Sequence, residues 1–190
     1  MSVPPLSLAG RPLPAPAIRL ITHYRMEHIP QEGAWFAPAF TSDEILAAGA
    51  LPARYAGPRR LYNSIYCVQT WDDFSGLHRL ATDEYWHFYD GHPLELLLLL
   101  PGGRGERIIL GRDVAAGERP QFLVPRGAWQ GARPVGGADA WTFIGNSMAP
   151  AFDYADFEIG YREELQVQYP AFASQIAALT RAEHVRRGSA

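Results

Sequence analysis

The stretch from residue 61 to residue 147 has the pattern of a series of short strands separated by turns, with no helix between them. The strand segments are rich in Tyr, Ile, Val and Leu, and glycine turns such as Asp90-Gly91 and Gly136-Gly137 separate them. Strands at this spacing predict an antiparallel barrel or sandwich and exclude a parallel α/β sheet. The predicted strands cover residues 61–71, 84–90, 94–100, 107–110, 121–124, 128–133 and 141–147.

Helical patterns flank this all-β region on both sides. Pro16 suits the first turn of a helix with apolar residues at helical spacing, and helical periodicity returns over 163–169 and 170–185. The run from Thr41 to Glu44 is typical of a capping box and predicts a short helix over 43–48. The 190 residues therefore predict three parts. These are a Pro-rich arm over 1–16, one domain with an N-terminal helix over 17–160, and a C-terminal helical tail over 161–190.

Composition excludes several classes of partner. The net charge is −3 and no dense block of Lys or Arg occurs, so we expect no nucleic acid. The longest apolar run, residues 96–100, is far too short for a bilayer, and we expect no membrane. Cys67 is the only cysteine, which excludes an intrachain disulfide and, with no charged leader before an apolar segment, predicts a cytoplasmic protein.

Strand parity predicts which side chains share a face. If Glu84 points into the barrel, Trp86 and Phe88 do so as well, and His87 points outward, because alternate residues of a strand face opposite sides. In the strand over 61–71 we favour an inward face with Ser64 and Tyr66, since an inward tyrosine suits a polar pocket. Ser64, Trp86 and Phe88 are therefore candidate ligand-binding residues.

Two runs resemble the paired motifs of cupin barrels: His78 to Gly91, which includes Glu84, and Pro125 to Gln130. The chain further resembles one cupin family, the DUF985 or Cupin_5 group of RmlC-like proteins, over roughly residues 30–160. The matching runs are Ser75-Gly-Leu-His78-Arg79, Asp83-Glu84-Tyr-Trp86-His87-Phe88-Tyr89, Gly91-His-Pro93-Leu94-Glu95-Leu96, Leu110-Gly111, Pro120-Gln121, Val124-Pro125 through Trp129-Gln130-Gly131-Ala132, and Ala149-Pro150-Ala151-Phe152-Asp153 through Asp156-Phe157-Glu158.

The resemblance implies a double-stranded β-helix, the cupin jelly roll, with flanking N- and C-terminal helices. It also implies a homodimer, and we expect the aromatic-rich outward faces of the strands to form the contact. By the same resemblance, Gln121, Trp129 and Gln130 join His78 and Glu84 around the ligand pocket. A shared fold does not transfer a reaction, so the activity has to be argued from these residues.

Two positions argue against a tightly bound metal. Leu80 stands where cupins usually carry a second metal-binding histidine, and Gln130 stands where they carry the last one. A leucine cannot ligate, and a glutamine oxygen is a weak ligand for iron or zinc. We therefore expect no cofactor, with a weak ion on His78, Glu84 and Gln130 as the remaining possibility.

Without a metal, His78 and Glu84 can act as a general acid/base pair, with Tyr66 returning a proton on the opposite face of the substrate. This reading predicts an isomerase, epimerase or lyase that acts on a small molecule. The alternatives are a ligand-binding cupin without catalysis and a metal-dependent oxygenase. The first reading gives His78 a catalytic role, whereas in the second His78, Glu84 and Gln130 only hydrogen-bond one another.

One segment departs from the family pattern. The family usually has His-Pro-Glu-Gly-Gly, an aromatic pair and then Arg-Glu-Thr, whereas this chain has Pro30-Gln31-Glu32-Gly33-Ala34-Trp35-Phe36-Ala37-Pro38-Ala39. An arginine near a pocket usually binds an anionic group. Its loss predicts a ligand that is neutral or partly apolar, and a specialised member of the family recruited to a biosynthetic pathway.

Overall fold

The computed structural model describes residues 4–186. The first half contains α1 (Ala15–Tyr24), β1 (Glu27–His28), β2 (Trp35–Thr41), β3 (Ile45–Leu46), β4 (Arg59–Arg60), β5 (Asn63–Thr70), β6 (Ser75–Leu80) and β7 (Glu84–Gly91). The second half contains β8 (Leu94–Leu100), β9 (Arg104–Leu110), β10 (Gln121–Val124), β11 (Trp129–Pro134), β12 (Trp141–Met148), β13 (Phe157–Ile159), α2 (Arg162–Gln168) and α3 (Ala173–Ala178). Among the described residues, every helix is too short or too polar to cross a membrane.

Two antiparallel sheets face each other and form a jelly roll. The first sheet has the order β1-β2-β5-β12-β7-β10, the second has the order β13-β6-β11-β8-β9, and β3 and β4 form a separate hairpin. The predicted all-β fold with flanking helices is therefore confirmed. Strands β2, β6 and β13 were missed from strand periodicity. In β6, serine, glycine, histidine and arginine dilute the apolar signal on which that reading depends.

Strand β8 shows how the layers pack. Leu96 and Leu98 point into the core between the two sheets, where they meet Trp86 and Ile144. Leu97 and Leu99 point to the other side of the sheet, where the C-terminal helices cover them. An uninterrupted run of leucines is stable here because both faces of the strand are buried.

The predicted helix over 43–48 is wrong. Ile45 and Leu46 instead pair with Arg60 and Arg59 as the β3–β4 hairpin. A single 3-10 turn follows over Ala48–Ala50. Tertiary pairing therefore overrides a short local helix signal. The predicted helix over 170–185 is also interrupted, since α3 has only six residues between two 3-10 turns.

The Pro-rich N-terminal segment packs against the turn between β5 and β6. The Ser7 hydroxyl donates to Asp72 over 2.8 Å, and the Leu8 backbone N–H donates to Asp73 over 2.7 Å. The other carboxylate oxygen of Asp73 accepts hydrogen bonds from the Trp35 indole and the Thr70 hydroxyl, both at 2.9 Å. Asp73 thus connects the N-terminal segment, β2 and β5 through one fully buried carboxylate. Residues 1–3 and 187–190 of the predicted arm and tail lie outside the described residues.

We predict that Asp73→Asn lowers the free energy of unfolding by about 2–4 kcal/mol, because an amide nitrogen would face N–H and O–H donors at the position of one carboxylate oxygen. Urea unfolding followed by circular dichroism measures the change. The control is Asp90→Asn, whose carboxylate is 60% exposed in an ion pair with Arg112, and which should change stability by less than about 0.5 kcal/mol. Equal effects of the two substitutions would contradict the role of Asp73.

The homodimer stays a prediction, and the outer face of the six-stranded sheet is the surface that would form it. Phe40, Tyr62, Tyr85 and Leu123 are exposed there and line one shallow depression. We expect the double substitution of Tyr85 and Leu123 by glutamate to give a folded monomer in light scattering while the wild type is a dimer, because it places two charges in the contact. A wild-type monomer at micromolar concentration would contradict the prediction.

Candidate functional site

A cavity of about 80 Å³ lies at one end of the space between the two sheets. Its polar lining residues are Glu32, His78, Glu84, Asn146 and Tyr154, and the remaining lining residues are isoleucine, leucine, methionine and phenylalanine side chains. Tyr154 is 54% exposed, so the cavity reaches solvent at that residue. An apolar cavity with a few convergent polar groups is the usual form of a small-molecule site.

Three strands bring the predicted polar residues together. His78 on β6 is paired with Gln130 on β11. Glu84 is the first residue of β7 in the opposite sheet, and Leu80, two residues after His78, lines the same cavity. The structure therefore brings the side chains of His78, Glu84 and Gln130 together, as predicted.

The Gln130 amide is the centre of a buried hydrogen-bond network. Its Nε2 donates to Glu84 Oε2 over 2.6 Å, and its Oε1 accepts from Trp86 Nε1 over 2.9 Å. Trp86 Nε1 also lies 3.1 Å from Glu84 Oε2, so this oxygen accepts two hydrogen bonds. Trp86 therefore points inward, as predicted. Its indole N–H donates to both Glu84 Oε2 and Gln130 Oε1.

The network determines which ring nitrogen of His78 donates a hydrogen bond and which accepts one. An indole N–H can only donate, so Trp86 requires the oxygen of the Gln130 amide and turns the amide nitrogen toward His78 Nε2, 3.2 Å away. His78 Nε2 then accepts, and Nδ1–H donates to the Gly76 carbonyl over 2.8 Å. In these contacts Nδ1 is the donating and Nε2 the accepting nitrogen of the ring. Phe157 stacks on the ring with a centroid distance of 5.4 Å.

Burial raises the pKa of the Glu84 carboxyl from its usual value near 4.5 to about 7, because an apolar surrounding disfavours the carboxylate. The charge of Glu32 raises the pKa further, whereas the two hydrogen bonds to Oε2 lower it, as would a positive charge on the His78 ring. When Glu84 is protonated, the proton belongs on Oε1, since Oε2 already accepts two hydrogen bonds. Near neutral pH the side chain is therefore present both as an acid and as a base.

Glu32 is a site residue that the sequence reasoning missed. Its carboxylate Oε1 accepts a hydrogen bond of 2.5 Å from the Ser75 hydroxyl. Its backbone carbonyl accepts from the Gly76 N–H over 3.1 Å and from the Arg181 guanidinium. Glu32 lies in the segment that departs from the family pattern, where only the missing arginine was interpreted. A polar residue next to the Gly33 turn was the signal that could have revealed it.

Asn146 is the second missed residue. It lies on β12 and is paired with Ile65 on one side and Trp86 on the other, so it shares their inward face. The strand over 141–147 was predicted, but its parity was not assigned. Applying the alternation rule to β12 in register with β7 would have placed Asn146 inside.

The expected inward orientation of Tyr66 and Ser64 is wrong. Tyr66 contacts the ring of Tyr24 on α1, with a centroid distance of 4.7 Å, and packs in the cluster outside the sheet. Ile65 and Cys67 take the inward positions. The six-stranded sheet buries apolar residues on both faces here, because α1 covers its outer face, and burial alone therefore does not reveal parity. Tyr66 cannot return a proton to a ligand in this cavity.

Two residues assigned to the pocket by resemblance also lie elsewhere. Gln121 is exposed and is paired with His87, whereas its neighbour Phe122 packs against the core. Trp129 packs beneath the C-terminal helices and carries Arg79 over its ring at 4.6 Å. Phe88 does point inward, but it packs against the core cluster and not against the cavity wall.

The side chains at the cupin metal position do not fit a metal ion. Across residues 4–186, no three His, Cys, Asp or Glu side chains group in a way that could hold one. Gln130 turns its oxygen to Trp86 and its nitrogen to His78, and this nitrogen occupies the His78 lone pair that a metal would need. Leu80 fills the place of a further ligand. The donor set therefore disagrees with the metal centre that the cupin fold implies.

The raised pKa of Glu84 predicts a pH-dependent stability. Between pH 4.5 and about 7 the native state keeps a proton that the unfolded chain releases, so the wild type loses stability as the pH rises through this window. Glu84→Gln keeps an oxygen that accepts from Gln130 and Trp86 but cannot ionise. We expect it to match the wild type near pH 4.5 and to be more stable by about 3 kcal/mol at pH 8.

Urea unfolding of both proteins across this pH range tests the expectation. Glu106→Gln removes an exposed carboxylate from β9 and is the matched control, with a stability difference from the wild type that should stay near zero. A difference between Glu84→Gln and the wild type that does not change with pH would contradict the raised pKa.

Comparison with known proteins places the chain in a family. The Cupin_5 model, described as Cupin superfamily (DUF985), matches residues 18–160. A protein from Shewanella oneidensis is 32% identical, with a TM-score of 0.74 over 86% of this chain and 96% of that chain. A hypothetical protein from Leishmania major is 28% identical, with a TM-score of 0.75 over 88% of this chain and 98% of that chain.

A search of curated proteins found no match. The nucleoside dehydratase Pac13 of Streptomyces, at 11% identity and a TM-score of 0.43 over 70% of this chain and 83% of that chain, is too remote to bear on the chemistry of the site. The family model covers most of the chain, and the Shewanella and Leishmania structures share its fold over nearly their whole length. The chain therefore belongs to the Cupin_5 (DUF985) family of the cupin superfamily.

Proposed function

We propose that this cupin moves a proton on a small, uncharged molecule, in an isomerisation, epimerisation or related lyase reaction, without a tightly bound metal. The observation that carries the proposal is the Glu84 carboxyl, buried at the wall of an apolar cavity with its pKa raised to about 7. General acid/base catalysis is most efficient when the pKa of the catalytic group lies near the working pH. Glu84 meets this condition, and His78 lies in the same network.

The reaction of this type needs only one carboxyl group. The Glu84 carboxylate takes a proton from a carbon next to a carbonyl, and the electron pair of the broken C–H bond delocalises onto the carbonyl oxygen. The protonated carboxyl then returns the proton to a different carbon, or to the opposite face of the same carbon if the intermediate turns. Gln130 and Trp86 hold Oε2 in place, so Oε1 is the oxygen that carries the proton.

The cavity wall supports a neutral or partly apolar ligand. Neither lysine nor arginine is among the lining residues that the structure describes. Glu32 and Glu84 both disfavour an anion, and the side chains of Phe36, Phe152 and Phe157 offer apolar contact. Desolvation inside such a wall also strengthens each hydrogen bond to the ligand.

A ligand-binding protein without catalysis is the second candidate, and one observation favours it. His78, Glu84, Trp86 and Gln130 are linked to one another by hydrogen bonds. A network of this kind is sufficient to shape a ligand pocket without any catalytic role. The oxygenase alternative has no support from the donor set, because the Gln130 nitrogen faces the His78 lone pair.

The conversion of 3-cyclopenten-1-one into 2-cyclopenten-1-one tests the proposal without knowledge of the natural substrate. This isomerisation removes a proton next to the carbonyl, returns it at another carbon and produces a conjugated enone that is followed by ultraviolet absorbance. We expect catalysis above buffer by the wild type and a loss on the order of 10²–10⁴-fold in Glu84→Gln. His78→Gln should lose less, because His78 acts through the network.

Glu106→Gln and His87→Gln are the controls for the two substitutions. Glu106 is exposed on β9, and His87 lies on the outer face of β7, where it stacks with Tyr85. Both should keep the wild-type rate. Catalysis that survives in Glu84→Gln would contradict the catalytic proposal. A wild type that binds the ketone and leaves it unchanged would also contradict it, and would support a ligand-binding protein without catalysis.

A further inference from the structure

Asn146 has a buried hydrogen-bond donor without an acceptor in the part of the chain that the structure describes. Its side chain is only 6% exposed, and its Nδ2 has no hydrogen-bond partner among the described residues. Within residues 4–186 the only other buried side-chain nitrogen or oxygen in this condition is Nε of Arg133. That guanidinium has an alternative explanation, since it stacks over the rings of Trp71 and Phe74 at 4.8 and 4.1 Å.

The surroundings explain why the donor stays unused. Ile144 and Met148 are the neighbours of Asn146 on the inward face of β12; the first carries no acceptor and the second only a weakly accepting thioether sulfur. Of the two residues paired with Asn146, Ile65 is apolar, and Trp86 carries an indole N–H that is itself a donor and is directed at Gln130 and Glu84. An amide N–H buried without a partner destabilises the fold, so packing gives no reason for an asparagine at this position.

The cavity is the space that Asn146 faces, because the residue lines it together with Glu84. Asn146 is paired with Trp86, which lies two residues after Glu84 on β7. Two residues of a strand span about 6–7 Å. A ligand of one small ring can therefore reach from the Asn146 amide to the Glu84 carboxyl.

We propose that Asn146 is the residue that binds the carbonyl oxygen of the ligand, and that the ligand is a small uncharged compound with such an oxygen at one end. An N–H donor matches an acceptor oxygen and cannot match an ammonium group. This inference rests on the proposed function, in which it has a chemical consequence. The negative charge that forms on the carbonyl oxygen during proton removal would lie against Asn146, where a fixed donor stabilises it most.

Three ring compounds of similar shape test the inference by ligand-observed NMR titration at pH 7: cyclopentanone, methylenecyclopentane and cyclopentylamine. The first offers an acceptor oxygen, the second offers none, and the third carries an ammonium group. The variant is Asn146→Leu, which keeps the approximate shape of the side chain and removes the donor. The wild type should prefer cyclopentanone over the hydrocarbon by roughly 2- to 10-fold, and Asn146→Leu should lose that preference.

The melting temperature separates a ligand-binding role from a structural one. A residue that holds the fold would lower it when replaced, whereas removing an unsatisfied donor should keep or raise it. Equal preference in the wild type and in Asn146→Leu, tighter binding of cyclopentylamine than of cyclopentanone, or a clear loss of melting temperature would each overturn the inference.

The failure of the proposed function has a different signature. Leu80→Trp fills the cavity and serves as the reference for binding elsewhere on the protein. If the wild type and Leu80→Trp bind all three compounds alike, the cavity is not the ligand site, and the proposed function and the inference both fail. If only Asn146→Leu behaves like the wild type, the cavity binds ligands and the assignment of Asn146 alone is wrong.

Discussion

The hydrogen bonds of one amide, that of Gln130, connect the two sheets at the end where the cavity lies. Gln130 belongs to the five-stranded sheet, whereas Glu84 and Trp86 belong to the six-stranded sheet. An amide has one accepting and one donating end, so the orientation that satisfies Trp86 also determines what His78 and Glu84 can do. A histidine or an apolar residue at this position would not impose the same order on its three neighbours. The hydrogen-bonding roles of His78 Nε2 and Glu84 Oε2 follow from this constraint.

Burial in an apolar surrounding has opposite effects on two residues of the cavity. It raises the pKa of Glu84 to about 7, which makes the carboxyl useful for proton transfer near neutral pH. It also leaves Asn146 Nδ2 without a hydrogen-bond partner among the described residues, which costs stability. Both conditions require the apolar wall, and the wall depends on two sheets whose outer faces are covered in part by α1 and by the C-terminal helices. Helices far from the cavity thus support its chemistry by keeping the sheets closed.

Much of the architecture was predictable. The strands over 121–124 and 94–100 were predicted with the bounds that the structure has, since turn residues flank these short, largely apolar runs. His78, Glu84 and Gln130 were expected together, and the structure brings them together. The parity of β5 was not predictable in the same way, because Ile65 and Tyr66 are both partly buried, one inside and one beneath α1. Apolar/polar alternation along a strand shows which residues point inward only when the other face of the strand is exposed to solvent.

The sequence by itself determined the class of fold, because strand propensity and turn chemistry are local properties of the chain, and its resemblance to the cupin motifs implied the positions from which the polar side chains come. Only the tertiary structure decided that Tyr66 lies outside, that Glu32 and Asn146 lie inside, and that Gln130 directs its nitrogen at His78. These outcomes depend on register between strands distant in sequence and on which faces the helices cover. A pKa near 7 for Glu84 and an unused amide at Asn146 are likewise properties of the enclosed space, which exists only when both sheets have closed around it.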